Sequence, residues 1–194
     1  MADANQSPLN PNECRAPTLE DLVELGRALN EAGARYVVIG GFAIRAAGFT
    51  RNTMDVDLLV ETGQENEARV IQGLMVLPDR AVREIRPGEI GEYGVVRIGD
   101  EILVDLMKSA CGVTYAVAIQ DAIWKEVGGV RIPFASPEAL WRMKQTHREK
   151  DVPDILFLRE LLKKKGINLE GEKIASSDLR IPRWLKRLLG KSAG

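Results

Sequence analysis

Three aspartates interrupt apolar stretches of this sequence, and their spacing is typical of a metal site. Asp55 and Asp57 alternate with apolar residues in a predicted strand, so both carboxylates lie on one face, opposite a core face of Met54, Val56, Leu58 and Val60. Asp105 likewise interrupts the apolar run 102–106. Like charges this close repel each other and resist burial, and a divalent cation relieves the repulsion. If the two strands are neighbours, the carboxylates converge and can hold two Mg²⁺ or Mn²⁺ ions about 3.5–4 Å apart for phosphoryl chemistry.

A glycine pair upstream of the aspartates adds a feature that suits phosphate binding. Gly40 and Gly41 join an apolar, β-branched run to a short predicted helix. Glycine lets the backbone approach a phosphate closely, and a helix N-terminus offers free N–H groups. Each feature also has a structural interpretation: a turn for the glycines or for Asp-X-Asp, and a strand end or an ion pair for Asp105. The combination is more specific than any single part.

The elements that must position these residues follow from hydrophobic periodicity and from turn and capping residues. Thr18 followed by Asp21 is a capping-box-like pattern for the first helix. The periodicity predicts helices over 18–33, 42–47, 64–77, 137–148 and 152–165. It predicts strands over 36–39, 54–60, 93–98, 101–107, 123–127 and 130–134, with turns at Gly99-Asp100 and Gly128-Gly129. The segment 114–120 fits either an extended stretch or a short helix.

The composition is that of an ordinary globular protein and excludes several classes of site. The formal net charge is −1, with 45% hydrophobic and 28% charged residues, so no global basic field indicates nucleic-acid binding. Cys14 and Cys111 lack metal-ligand spacing, and the single histidine, His147, excludes a histidine-based metal cluster. The first residues do not resemble a signal peptide, and no apolar run is long enough to cross a membrane. We therefore expect a cytoplasmic protein.

The sequence resembles the DNA polymerase β-like nucleotidyltransferase superfamily over the stretch VVIGGFAIRAAGFTRNTMDVDLLV. Ile39-Gly40-Gly41 corresponds to the first part of the motif and Asp55-Val56-Asp57 to the second, with thirteen residues between Gly41 and Asp55. The form Arg51-X-Thr53-X-Asp55 is similar to small bacterial members, including AbiEii-type components of toxin–antitoxin and abortive-infection systems. The helical part of those proteins resembles a later segment with Ser136-Pro137-Glu138, Leu140, Lys144, Arg148, Lys150-Asp151 and Asp154-Ile155.

The resemblance implies an α+β fold. A small mixed β-sheet flanked by helices forms the nucleotidyltransferase palm, and a helical segment follows it. With this fold we expect a flexible tail over 1–17, the core over 18–135, a helical segment packed on the core over 136–166 and a basic amphipathic tail over 167–194. The basic and apolar residues of 180–191 suit an amphipathic helix that binds RNA, a protein partner or a membrane surface, or that docks back on the domain.

The resemblance also assigns roles to the acidic residues and to one lysine. It implies that Asp55 and Asp57 bind both metals, and that Asp105 binds one metal and helps to deprotonate the acceptor. It implies that Lys144 contacts nucleotide phosphates or supports the site.

The remaining candidate residues bind nucleotide or brace the site. Gly40, Gly41 and Arg51 complete the expected nucleotide-binding set, although Arg51 has a second interpretation as a partner of Asp55. Two further aspartates are expected to brace the last helix and to hold Lys144 or Arg148; they are Asp151 and Asp154.

The leading functional hypothesis is transfer of a nucleoside monophosphate from an NTP such as ATP to an acceptor hydroxyl. The acceptor is an RNA such as tRNA, a protein or a small molecule, and the chain is a candidate component of a toxin–antitoxin or abortive-infection system. One alternative is a non-catalytic nucleotide-binding or antitoxin-like module of the same fold. Another is a small-molecule nucleotidyltransferase of the aminoglycoside-modifying type.

Overall fold

A six-stranded mixed sheet forms the centre of the computed structural model, which describes residues 14–146, 148–167 and 169. The strand order is β3-β4-β2-β1-β8-β7, and a two-stranded sheet pairs β5 with β6. The strands are β1 (Tyr36–Val38), β2 (Asp55–Val60), β3 (Val95–Gly99), β4 (Leu103–Met107), β5 (Ser109–Ala110), β6 (Val113–Thr114), β7 (Ile123–Val127) and β8 (Val130–Phe134). The expected α+β class is confirmed.

Seven α-helices accompany the sheet in the part of the chain that the structure describes. They are α1 (Leu19–Glu31), α2 (Gly40–Ala46), α3 (Gln64–Leu74), α4 (Glu89–Tyr93), α5 (Tyr115–Ala118), α6 (Pro137–Met143) and α7 (Val152–Lys164). Short 3₁₀ turns cover Ala81–Glu84 and Glu149–Asp151. α1 begins at the predicted capping box, in which Thr18 and Asp21 exchange hydrogen bonds. No helix among these residues is long and apolar enough to span a membrane.

The order of the strands matters for the site because it places distant segments side by side. β2 pairs antiparallel with β1 but parallel with β4, and β3 and β4 form the predicted hairpin. A parallel pair requires a crossover connection, and here the chain between β2 and β4 contains α3, α4 and β3. In this register Asp57 lies directly opposite Asp105.

Helix α1 can pack closely against the sheet because Gly26 lies on the apolar side of the helix. A Cβ atom at Gly26 would lie 2.9 Å from Cδ1 of Ile132 on β8, which is closer than ordinary van der Waals contact. Leu22, Leu25 and Leu29 of the same helix are buried against the core. The apolar periodicity of α1 is confirmed for Leu22, Gly26 and Leu29, whereas Leu19, in the first turn of the same stripe, is 42% exposed.

Several predicted boundaries were wrong. The strand expected over 54–60 begins at Asp55, and Met54, which was assigned to the core face, is 63% exposed because it precedes the paired residues. The helix expected over 137–148 ends at Met143, and the helix expected over 64–77 ends at Leu74. The segment left open near residue 114 contains both a short strand and the short helix α5.

Helix α4 was not predicted, and a buried carboxylate explains its position. Glu67 of α3 is fully buried and accepts hydrogen bonds from the backbone N–H groups of Gly63, Gly88, Ile90 and Gly91, at 2.6–3.1 Å. These four N–H donors replace the hydrogen bonds to water that the carboxyl group of Glu67 loses on burial. This contact ties the short α4 to the start of α3, although the two are far apart in sequence.

Candidate active site

Three carboxylates converge on one cleft, as their positions in the sequence predicted. Asp55 and Asp57 lie two residues apart on β2, and Asp105 lies on the neighbouring β4, directly opposite Asp57. One oxygen from each carboxylate lies within 4.8 Å of the others. Asp55 and Asp57 are partly exposed, whereas Asp105 is 3% exposed. All three line a cleft that also contains Gly40, Gly41, Arg51 and Lys144.

The pKa of Asp57 is raised, in part by the negative charges beside it. Burial raises the pKa of Asp57 to about 6, and repulsion from Asp55 and Asp105 adds to the shift. The positive charge of Lys144 and a hydrogen bond from the Gly41 N–H oppose it without cancelling it. The protein therefore holds these carboxylates together at an electrostatic cost that a bound cation would offset.

The glycine pair shapes the space around these carboxylates. Gly40 has a φ of 58°, and a Cβ there would lie 1.8 Å from Oδ2 of Asp57. A Cβ at Gly41 would lie 2.3 Å from Oγ1 of Thr53. Thr53 is buried, and its hydroxyl donates to the backbone oxygen of Asp55 at 3.0 Å. The glycines are thus needed for β2 and its acidic side chains to pack against the start of α2, and both still line the cleft.

Lys144 occupies the C-cap of α6 and is held by two aspartates from the start of α7. Its Nζ donates to Oδ1 of Asp151 at 2.8 Å and lies 3.1 Å from Oδ2 of Asp154. Asp151 also accepts hydrogen bonds from Thr146 at 2.6 Å and from Arg148 at 3.0 Å. Burial alone would raise the pKa of Asp151, but the hydrogen bonds from Lys144 and Thr146 and the nearby positive charges lower it. The predicted contacts of these aspartates with Lys144 and Arg148 are confirmed, but the side chain of Asp151 makes no capping hydrogen bond to α7.

Arg51 pairs with Asp154 and not with Asp55, which was one of its two predicted partners. Its Nη1 donates to Oδ2 of Asp154, whose side chain is 2% exposed, and its Nε donates to the backbone oxygen of Asn52 at 3.1 Å. Asp154 therefore joins Arg51, from the loop before β2, to Lys144, from the end of α6. This shared partner brings two positive charges to the same side of the cleft.

Arg97 is the cleft residue that the sequence analysis missed. Its Nε and Nη2 donate to Oδ1 and Oδ2 of Asp105, both at 2.7 Å, in a two-pronged ion pair. The hydrogen bonds from the guanidinium to Asp105 raise the pKa of Arg97, which stays charged. The predicted hairpin did not reveal it, because a two-residue turn at Gly99-Asp100 would pair Arg97 with Ile102. In the structure the turn covers residues 100–102, and this register places Arg97 directly opposite Asp105.

The donor set suits a hard divalent cation. Carboxylate oxygens are the ligands that Mg²⁺ and Mn²⁺ prefer, and three of them meet within 4.8 Å at a place where their mutual repulsion is otherwise only partly compensated. Asp55, Asp57 and Asp105 therefore fit such an ion. His147 and most of the basic tail expected over 167–194 lie outside the described residues.

Comparison with known proteins places the chain in a family. A crystal structure of an antigenic nucleotidyltransferase-like protein from Paracoccidioides brasiliensis is similar at 18% sequence identity, over 80% of this chain and 79% of that one, with a TM-score of 0.45. No curated protein matches the sequence. Residues 18–183 match the family model described as "nucleotidyl transferase of unknown function (DUF2204)", and the chain belongs to that family.

Proposed function

We propose that the chain transfers a nucleoside monophosphate from an NTP to an acceptor hydroxyl, with Mg²⁺ or Mn²⁺ held by Asp55, Asp57 and Asp105. The observation that carries the proposal is the meeting of these three carboxylates within 4.8 Å, in a cleft of a chain that belongs to a nucleotidyl transferase family. Burial and the charges of Asp55 and Asp105 raise the pKa of Asp57 to about 6, so a cation held by the triad would stabilise the ionised form of Asp57.

The reaction forms one bond and breaks another at the α-phosphorus of the NTP. The acceptor oxygen bonds to the α-phosphorus, the bond from that phosphorus to the bridging oxygen breaks, and pyrophosphate leaves. When bound, the cation neutralises charge that develops on the attacking and leaving oxygens. The acceptor proton passes to a carboxylate or to water, and Asp105 is our candidate for the carboxylate.

The positive residues of the cleft are assigned to the triphosphate. Lys144 has three N–H donors, of which Asp151 accepts one at 2.8 Å, and Asp154 lies 3.1 Å from the same Nζ as an ion-pair partner. A remaining donor is assigned to a phosphate oxygen, and the two aspartates hold the ammonium group in place. Arg51 adds a second positive charge from the same network, and Gly40 and Gly41 line the cleft without side chains that would block a phosphate.

The test is transfer of label from each α-³²P-labelled NTP in Mg²⁺, with RNA, protein and small-molecule acceptors supplied separately. We expect one NTP and one acceptor class to give a labelled product, and EDTA to abolish it. Asp55→Asn should lose transfer, whereas Glu65→Gln should keep it, because Glu65 is an exposed carboxylate on α3 that pairs with Arg69 outside the cleft.

Each alternative function predicts a different result in the same assay. Because of the resemblance to AbiEii-type components, tRNA is the first acceptor to supply, and labelled RNA with growth arrest on expression would support a toxin role. Label confined to polyol acceptors would support an enzyme of the aminoglycoside-modifying type. No label with any acceptor, together with nucleotide binding, would contradict the proposal and favour a non-catalytic module.

A further inference from the structure

The two members of the ion pair between Arg97 and Asp105 have very different freedom to move. The side chain of Asp105 is 4% exposed and lies on β4, which is held between β2 and β3. The side chain of Arg97 is 53% exposed and lies on β3, the edge strand of the sheet. Arg97 can therefore leave the pair by side-chain rotation alone, whereas Asp105 cannot leave without disturbing the sheet.

Arg97 occupies the oxygens that Asp105 would offer to a cation. Both carboxylate oxygens accept a hydrogen bond from the guanidinium at 2.7 Å. A guanidinium that binds both oxygens is the strongest ordinary partner of a carboxylate, so a divalent ion must share the group with Arg97 or displace it. Asp55 and Asp57 have no such two-pronged partner among the described residues. The triad is thus divided into two carboxylates open to a cation and one that is already neutralised.

We propose that Arg97 is an internal counter-cation that keeps Asp105 from free divalent ions and releases it to the ion that arrives with a nucleotide. The inference rests on the proposed function, since it takes the three carboxylates as the cation site. A triphosphate supplies negative charge at the cleft, which gives the guanidinium an alternative partner when it leaves Asp105. Arg97 is a positioning residue, because it acts on the reaction through Asp105.

The test is Mn²⁺ binding to the full chain without nucleotide, measured by electron paramagnetic resonance of free Mn²⁺ and by calorimetry. Arg97→Met removes the charge and keeps most of the length of the side chain. Because an opposite charge at this distance shifts ionic equilibria by one to three powers of ten, we expect Arg97→Met to bind Mn²⁺ about tenfold more tightly than the parent protein, or better. Arg97→Lys, which keeps the charge but not the two-pronged geometry, should lie between them.

The matched control is Arg15→Met, because Arg15 also donates to both oxygens of one aspartate, Asp21, at the surface near the start of α1. That change should leave Mn²⁺ affinity at the parental value. Equal or weaker Mn²⁺ binding by Arg97→Met than by the parent would overturn the proposal, since it would show that Arg97 supports the cation site and does not compete with it. Tighter Mn²⁺ binding by Arg97→Met in a protein that binds no NTP would uphold the counter-cation role of Arg97, but would contradict both the release by nucleotide and the proposed function.

A second measurement needs no folded Arg97→Met protein. The Nε–H resonance of Arg97 in ¹⁵N-labelled parent protein, assigned with Arg97→Lys, reports on the ion pair directly. We expect its chemical shift to stay unchanged when millimolar Mg²⁺ is added alone, and to change when Mg²⁺ is added with a non-hydrolysable NTP analogue. A resonance that shifts fully with Mg²⁺ alone, or that stays in place although the analogue is bound, would contradict the proposed exchange.

Discussion

Two arginine–aspartate pairs in this protein each join one guanidinium to both oxygens of a carboxylate, but they have different surroundings. Arg15 binds both oxygens of Asp21 at 2.7 Å, and Arg97 binds both oxygens of Asp105 at 2.7 Å. The Arg15 pair lies at the surface, where Asp21 and Thr18 form the capping box at the start of helix α1. The Arg97 pair lies in the cleft, directly beside Asp57. The contact itself therefore does not distinguish a structural pair from one that serves a site.

The neighbours of each pair make the distinction. The pKa of Asp21 is lowered to about 2, chiefly by the hydrogen bonds from Arg15. Partial burial opposes this shift, and hydrogen bonds from Thr18 add to it. In the cleft, by contrast, burial and the charges of Asp55 and Asp105 raise the pKa of Asp57 to about 6. Asp21 is placed where its charge stabilises the fold, whereas the cleft gathers charges that destabilise it until a cation is bound.

The largest effect is expected for Asp57→Asn on the rate of transfer. The change removes a cation ligand and leaves charge on the triphosphate poorly neutralised. Metal-ion catalysis is worth several kcal/mol, so we expect the rate constant to fall by about 10³-fold or more. Asp21→Asn, an identical change outside the cleft, should leave the rate of the folded protein unchanged. Single-turnover transfer by the two variants measures the contrast, and a Asp57→Asn variant with parental activity would refute the site.

Asp154→Asn should give the largest loss of stability. This carboxylate is buried and is shared by Arg51 and Lys144, so its neutralisation leaves two positive charges with too little compensation. Removing one partner of a buried ion pair lowers the free energy of unfolding by about 3 kcal/mol or more. Urea unfolding of parent and variant at pH 7.5 measures the difference. If the free energy of unfolding falls by no more than is expected for an exposed ion pair, the network is dispensable for the fold.

Asp57→Asn should have the opposite effect on the stability of the cation-free protein. A pKa raised from 3.8 to about 6 means that the ionised Asp57 destabilises the fold above pH 6, and that this penalty disappears as the pH falls towards 4. The variant should be more stable than the parent by about 2 kcal/mol at pH 7.5 in EDTA, and equally stable near pH 4. Calorimetry at both pH values measures this, and a variant less stable at pH 7.5 would contradict it.

Asp21→Asn should show the smallest change, with the opposite sign to that of Asp57→Asn. The lowered pKa of Asp21 means that its ionised form stabilises the fold at pH 4 and above, and that the benefit is lost as the pH falls through about 2. Because Asp21 is only partly buried and its pair with Arg15 is screened, we expect a loss of about 1 kcal/mol at pH 7. Urea unfolding between pH 7 and pH 3 should show the loss shrinking at the acid end; a constant loss would assign it to packing.

The sequence was most informative where a local pattern decides the structure. The alternation of Asp55 and Asp57 with apolar residues predicted their common face, and the Gly99-Asp100 turn predicted the hairpin of β3 and β4. The capping box at Thr18 predicted the start of α1. Each of these depends on the geometry of a few consecutive residues.

The rest depends on contacts between distant segments, which a local pattern does not contain. The parallel pairing of β2 with β4 was assumed for the site and became visible only in the sheet order. The position of α4 depends on Glu67, and the partner of Arg51 is Asp154, more than a hundred residues away. Arg97 could not be found from the predicted hairpin, because a two-residue turn at Gly99-Asp100 sets a different register from the observed pairing of Arg97 with Asp105.

The most direct test of the central claim is a crystal structure of the protein with Mn²⁺ and a non-hydrolysable NTP analogue, with data collected at the manganese absorption edge. We predict anomalous density at about 2.0–2.3 Å from oxygens of Asp55, Asp57 and Asp105, with a phosphate oxygen of the nucleotide as a further ligand. A nucleotide bound elsewhere, or a nucleotide in the cleft without manganese at these three carboxylates, would contradict the account.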